Sequence, residues 1–133
     1  MTQGAALTLR AIESESRAAR SALRAFLLHA ETPAQCAADA TLVMAELVAN
    51  GHTACSGAAP VVIEVAASPG LVVVQVTNER LPGTPDHLEL PRAQMPPPTE
   101  RRGRGLPLVA QLCARLAVDH GDHVTTIRAE LVW

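Results

Sequence analysis

Long apolar runs are missing from this sequence. No segment reaches the roughly 20 consecutive apolar residues that a membrane-spanning helix needs, and the opening "MTQGAALTLR" lacks an apolar stretch of signal-peptide length. Lysine is absent altogether, so all eleven basic residues are arginine, a bias that fits alanine-rich codon usage as readily as function. The formal net charge of −2 excludes a broad electrostatic attraction to nucleic acid or an anionic membrane. No CxxC pair occurs, and three cysteines (Cys36, Cys55, Cys113) are an odd number that argues against a disulfide framework. They read as small buried residues of a reduced protein. Internal repeats are also lacking. These absences lead to the expectation of a soluble, cytoplasmic protein that acts neither on nucleic acid directly nor at a membrane. A chain of 133 residues, 48% hydrophobic and 18% charged, fits one globular domain with a real core and is too short for a sensor and an output module together.

What is present is a run of amphipathic segments. "ALTLRAI" alternates weakly and reads as a first strand. "RAARSALRAFLLHA" places Ala19, Leu23, Phe26 or Leu27, and Ala30 on one helical stripe, with Arg17, Arg20 and Arg24 opposite. In "TPAQ", Thr32 offers a cap, Pro33 suits the first helical position and Gln35 sits where a capping box wants it. The second helix is therefore expected from Pro33 to Asn50 or Ala54. "PVVIEVA" and "LVVVQVTN", separated by the turn "SPG", read as an antiparallel hairpin. On its second strand Val72, Val74, Val76 and Asn78 share a face. Between Glu79 and Arg102 no period survives in a stretch rich in proline and charge, and a loop of this length is usually functional. "GRGLPLVAQLCARLAV" follows as a third helix, with Leu106, Val109, Leu112 or Cys113, and Leu116 on one stripe. "VDHGD" reads as a turn, and "VTTIRAELVW" as a last strand with Ile127, Ala129, Leu131 and Trp133 on one face. Hairpins outnumber crossovers, so the expected fold class is α+β: a two-layer sandwich with a mixed or mostly antiparallel sheet and helices packed on one face.

Two places invite a chemical reading. In "MAELVANGHTAC", Glu46 and Asn50 stand i, i+4 apart on one face of the second helix. Their oxygens suit a hard cation such as Mg²⁺, which takes one or two protein ligands and completes its shell with phosphates and water. Glu46 can also take a proton from an attacking hydroxyl. Read alone, the pair is equally a solvated glutamate and an asparagine that ends a helix before Gly51. His52 falls off that face and reads as a surface residue. The second place is Gly103-Arg104-Gly105, directly before a helix. A glycine-rich turn lets backbone N–H groups approach an anion, and the helix N-terminus adds favourable partial charge. Arg101, Arg102 and Arg104 can pair with phosphate oxygens, and the long loop before them can close as a lid.

In order, an E-x-x-x-N helix ("AELVAN"), a strand ending in Asn78, a proline-rich loop and "GRGLPLV" resemble the N, G1 and G2 boxes of the Bergerat-fold (GHKL) ATPases, and above all the small anti-sigma factor serine kinases. The resemblance runs over nearly the whole chain. It implies a single histidine kinase-like ATPase domain over residues 1–133 with an ATP lid at about 79–102. It implies ATP and Mg²⁺ as cofactors, with Asn50 as the metal ligand and Glu46 as the general base. Asn78, Arg102, Gly103, Arg104, Gly105 and Leu106 would complete the nucleotide contacts. As partners it implies a sigma factor and a STAS-type anti-anti-sigma protein phosphorylated on serine, in a homodimer. The chain departs from the pattern at the G1 box, where "VTNERLPG" has Asn78 in place of an Asp and lacks the glycine two residues later. An Asn oxygen still accepts the adenine amino proton but without charge assistance, a loss of about 1 kcal/mol or more. The alternative is thus a degenerate interaction module of the same fold, with weak or no nucleotide binding and no kinase activity.

Overall fold

The computed structural model describes residues 4–54, 59–79 and 105–133. Its elements run β1 (Ala5–Ala11), α1 (Ser16–His29), α2 (Ala34–Ala54), β2 (Val61–Ser68), β3 (Leu71–Glu79), α3 (Gly105–Leu112), β4 (Arg115–His120) and β5 (Val124–Val132), with one 3₁₀ turn at Glu13–Glu15. The five strands form one sheet in the order β1-β2-β3-β5-β4. Every described pairing is antiparallel. The alternation read in the sequence decides which side is covered. Ile63, Val65, Val72, Val74, Val76, Ile127, Ala129 and Leu131 are buried under the helices, while Glu64, Ala66 and Arg128 face the open side. The expected α+β sandwich is therefore the observed one, and its described sheet is wholly antiparallel rather than mixed.

Helix α1 contributes Ala19, Leu23 and Leu27 to the core, and α2 contributes Val43, Met44, Leu47 and Val48. The link between them turns sharply. The Thr32 N–H donates to the Leu27 carbonyl at 3.0 Å and the Glu31 N–H to that of Leu28 at 3.1 Å, which closes α1 in a Schellman motif. Glu31 holds the left-handed position, φ 64°, that such an ending normally gives to glycine, at a cost of about 1 kcal/mol. The capping box expected at the start of α2 is not made. Thr32 has no side-chain bond to the described helix, and the Gln35 amide instead donates to Asp39 Oδ1 at 2.9 Å, one turn on.

Three expectations change. The third helix stops at Leu112, and Leu116 lies on β4, where the Ala114 N–H already donates to the Glu130 carbonyl at 2.7 Å. "VDHGD" is mostly strand, the turn falling at residues 121–123. Trp133 lies beyond β5 and is 49% exposed, its N–H donating to the carbonyl of Gly70 in the β2–β3 turn at 3.1 Å. None of the described helices is long and apolar enough to cross a membrane.

The candidate nucleotide site

Helix α2 packs on β2 and β3, and its C-terminal end meets the start of β2 and the end of β3. Asn50 and Gly51 lie there. A Cβ placed on Gly51 would stand 2.9 Å from Val61 Cγ1, 3.5 Å from Asn78 Cβ and 3.6 Å from Asn78 Oδ1. This contact explains a glycine near the end of a long helix. The position sacrifices about 1 kcal/mol of helix propensity relative to alanine and lets the helix backbone lie against Asn78. Glu46 and Asn50 are both half-buried one turn apart on this helix, and neither has a hydrogen-bond or ion-pair partner among the described residues.

Asn78 is only 3% exposed. Its Nδ2 donates to the Glu79 carbonyl at 3.2 Å, and its Oδ1 accepts no hydrogen bond from any described residue. A buried acceptor without a donor is costly to leave unsatisfied. Opposite it in register on β5 stands Thr125, also buried, whose hydroxyl lies 3.4 Å from His120 Nδ1. Sequence reasoning missed Thr125, because a threonine on the inward face of a strand gives no pattern of its own. His52 was misplaced as well. It is buried, with Nε2 2.8 Å from the Ala11 carbonyl, and it ties the end of β1 to α2 two residues past Asn50.

The helix termini sort charge around these groups. The last turns of α2 carry negative partial charge, which suits a cation near Asn50, and the N-terminus of α3 at Gly105 suits an anion. Helices α2 and α3 pack against each other, and Leu106 packs on the core. The structure thus brings Glu46, Asn50 and Asn78 to one end of the sheet and places Gly105 and Leu106 on the helix packed beside them. Arg102, Gly103 and Arg104, and the expected lid apart from Glu79, lie outside the described residues.

The donor set fits a magnesium nucleotide. Among the described residues no three His, Cys, Asp or Glu side chains cluster to hold a metal by themselves. Asn50, with Glu46 one turn away, would instead offer the few oxygens that Mg²⁺ accepts from protein when phosphates fill the rest of its shell. Asn78 Oδ1, an acceptor without a donor among the described residues, has the chemistry to accept a base N–H, and it lies close against the backbone at Gly51. A groove of about 390 Å³ lies elsewhere, lined by Phe26, His29, Glu31, Pro69 and Trp133 at the β2–β3 turn. It stands about 20 Å from Asn78, some seven strand residues away. Glu46, Asn50 and the Asn78 Oδ1, all without partners among the described residues, lie toward the other end of the sheet.

Among solved structures the chain resembles the SiaB–SiaC complex from Pseudomonas aeruginosa, with a TM-score of 0.72 and 21% identity over 94% of this chain and 88% of that one. It also resembles the RsbU and RsbW domains of Rv1364c from Mycobacterium tuberculosis, with a TM-score of 0.66 and 20% identity over 98% of this chain. It spans about a third (32%) of that longer protein. At these identities the likeness is one of fold. No curated protein matches the sequence. The sequence profile of the histidine kinase-like ATPase domain, however, matches residues 9–131, from the middle of β1 to nearly the end of β5. The chain belongs to the histidine kinase-like ATPase domain family.

Proposed function

We propose that this protein binds Mg-ATP at the Asn78 end of the sheet and acts as an anti-sigma-type regulator that phosphorylates a serine on an anti-anti-sigma partner. The nucleotide reading is carried by Asn78 Oδ1 beside Gly51, with Asn50 and Glu46 on the adjoining helix, all three without partners among the described residues. Asn50 would hold Mg²⁺, which neutralises charge on the phosphate oxygens when bound. Glu46 would take the proton of the incoming serine hydroxyl as its oxygen bonds to the γ-phosphorus and the bond to ADP breaks. Residues 79–102 would form the lid, with Arg102, Gly103 and Arg104 against the phosphates. Complex formation by SiaB with SiaC, and the joining of RsbU and RsbW domains in Rv1364c, support a partner-switching role. The partners proposed are a STAS-type protein and a sigma factor, with the chain acting as a cytoplasmic homodimer.

The thermal unfolding midpoint against Mg-ATP and Mg-ADP tests the site. A ligand at a hundred times its Kd adds about 2.7 kcal/mol to the stability of the folded state, and the shift should vanish in Asn50→Ala. Transfer from labelled ATP to a purified STAS partner then tests the enzyme. Glu46→Gln should keep the shift and lower transfer by about 10²-fold or more. A second reading, a binding module without transfer, draws on the neutral amide at Asn78. It predicts partner binding with no labelled product even in the native chain.

A further inference from the structure

Three alanines leave a groove at the end of the molecule remote from Asn78. Ala5 on β1 pairs with Ala67 on β2, and Ala30 follows helix α1, so methyl groups stand where larger side chains would fill the gap between helix and sheet. The resulting space of about 390 Å³ is in the lower part of the range of small-molecule sites. Both aromatic side chains of the chain, Phe26 and Trp133, line it. Neither is sealed in the core, since Phe26 is half-buried and Trp133 half-exposed. The ionisable side chains in the lining are Glu31 and His29. The Glu31 carboxylate has no hydrogen-bond or ion-pair partner among the described residues. It stands on a residue at φ 64°, the left-handed position that a Schellman ending normally gives to glycine. Backbone strain retained at a cavity wall is a mark of a side chain that is used. The C-terminus of α1, at His29, adds negative partial charge on the same side.

We propose that this groove is a second ligand site, selective for a small organic cation: an ammonium carried on an apolar or aromatic body. The charge follows from the lining. A cation is attracted to the face of an aromatic ring and to the Glu31 carboxylate. An anion meets that carboxylate and the helix end, with no arginine in the lining to offset them. The apolar body follows from the three alanines and the two aromatic residues, against which it sheds water. Ser68 and His29 add groups able to hydrogen-bond to the ligand. The groove lies about 20 Å from Asn78, so this site and the nucleotide site stand or fall separately.

Amide NMR titration of the full chain with phenethylammonium, phenethyl alcohol and phenylacetate tests this, because the three probes share a ring and differ in charge. The cation should give saturable shifts confined to the groove, at residues 29–31, 67–69 and 133. Its affinity should exceed that of the alcohol by about fivefold or more, and phenylacetate should bind more weakly than either. Glu31→Gln should bring the cation down to the level of the alcohol. Glu31→Gly relieves the left-handed backbone, so it should lose the same selectivity while its unfolding midpoint rises. Loss of binding in that variant is then not loss of fold. An alcohol that binds as tightly as the cation would overturn the proposal, and so would selectivity that survives Glu31→Gln. Absence of saturable shifts with all three probes at millimolar concentration would remove the site and leave the nucleotide reading untouched.

Discussion

Replacing Gly51 by alanine sets two effects of known sign against each other. In an exposed helix interior the change would stabilise the chain by about 1 kcal/mol through helix propensity. Here the new methyl would arrive 2.9 Å from Val61 Cγ1, well inside the 3.5–4.0 Å at which carbon atoms attract. Val61 has no exposed surface to retreat into, and its backbone is fixed in register between Ala11 on β1 and the start of the β2–β3 pairing. Moving it means an off-rotamer side chain or a displaced helix, and overpacking of this kind costs about 1–3 kcal/mol. The balance is a net destabilisation of about 1 kcal/mol, or about 4 °C in the unfolding midpoint for a chain of this size. Affinity for Mg-ATP should fall by more than stability does, since pushing α2 away separates Asn50 from Asn78. Urea unfolding and nucleotide titration of Gly51→Ala, with Gly51→Val as a larger step in the same direction, measure both quantities. A variant that gains about 1 kcal/mol and binds nucleotide unchanged would show that the helix–strand contact is soft and that the glycine is not there for closeness.

Other consequences follow from buried His52, buried Cys36 and half-buried Cys113. His52→Leu should cost about 1–3 kcal/mol in urea unfolding, because the Ala11 carbonyl loses its partner at 2.8 Å in a buried setting. A loss below about 0.5 kcal/mol would mean that water replaces the imidazole there. Burial raises the pKa of Cys36, with a smaller contribution from the charge of Asp39, and burial likewise raises that of Cys113. Both thiols should therefore alkylate slowly at about pH 8 in the native chain and quickly in denaturant, as a timed iodoacetamide reaction would read. A raised thiol pKa contributes stability that is complete below the unfolded value, 9.0, and is lost as pH rises through the folded one. The unfolding free energy should accordingly decline above about pH 9, and Cys36→Ala should flatten that decline.

Much of the fold could be read where one period ruled out the other. Val72, Val74, Val76 and Asn78 alternate without ambiguity, and β3 buries that set. The end of α3 could not be read, because Leu116 continues a helical stripe from Leu112 while Leu116, Val118 and His120 equally alternate along a strand. Pairing with β5 decided between the two, and that is a tertiary term absent from any local window. Of the site, the E-x-x-x-N spacing put Glu46 and Asn50 on one face, as a helix must. Gly51 read only as the residue after a helix-ending asparagine, whereas it lies within α2 and its reason is a strand end distant in sequence. His52 looked like surface because helical position alone cannot reveal that a carbonyl at Ala11 waits opposite it.

The chain contains one phenylalanine, one tryptophan and no tyrosine. Phe26 and Trp133 line the same groove at the β2–β3 turn. Intrinsic emission is thus a single-indole signal from the end of the molecule remote from Asn78. A tryptophan-fluorescence titration with nucleotide watches the wrong place, and a flat trace there says nothing about binding. The same arrangement is an advantage to anyone studying that remote end, because any change in the indole's surroundings has only one residue to come from.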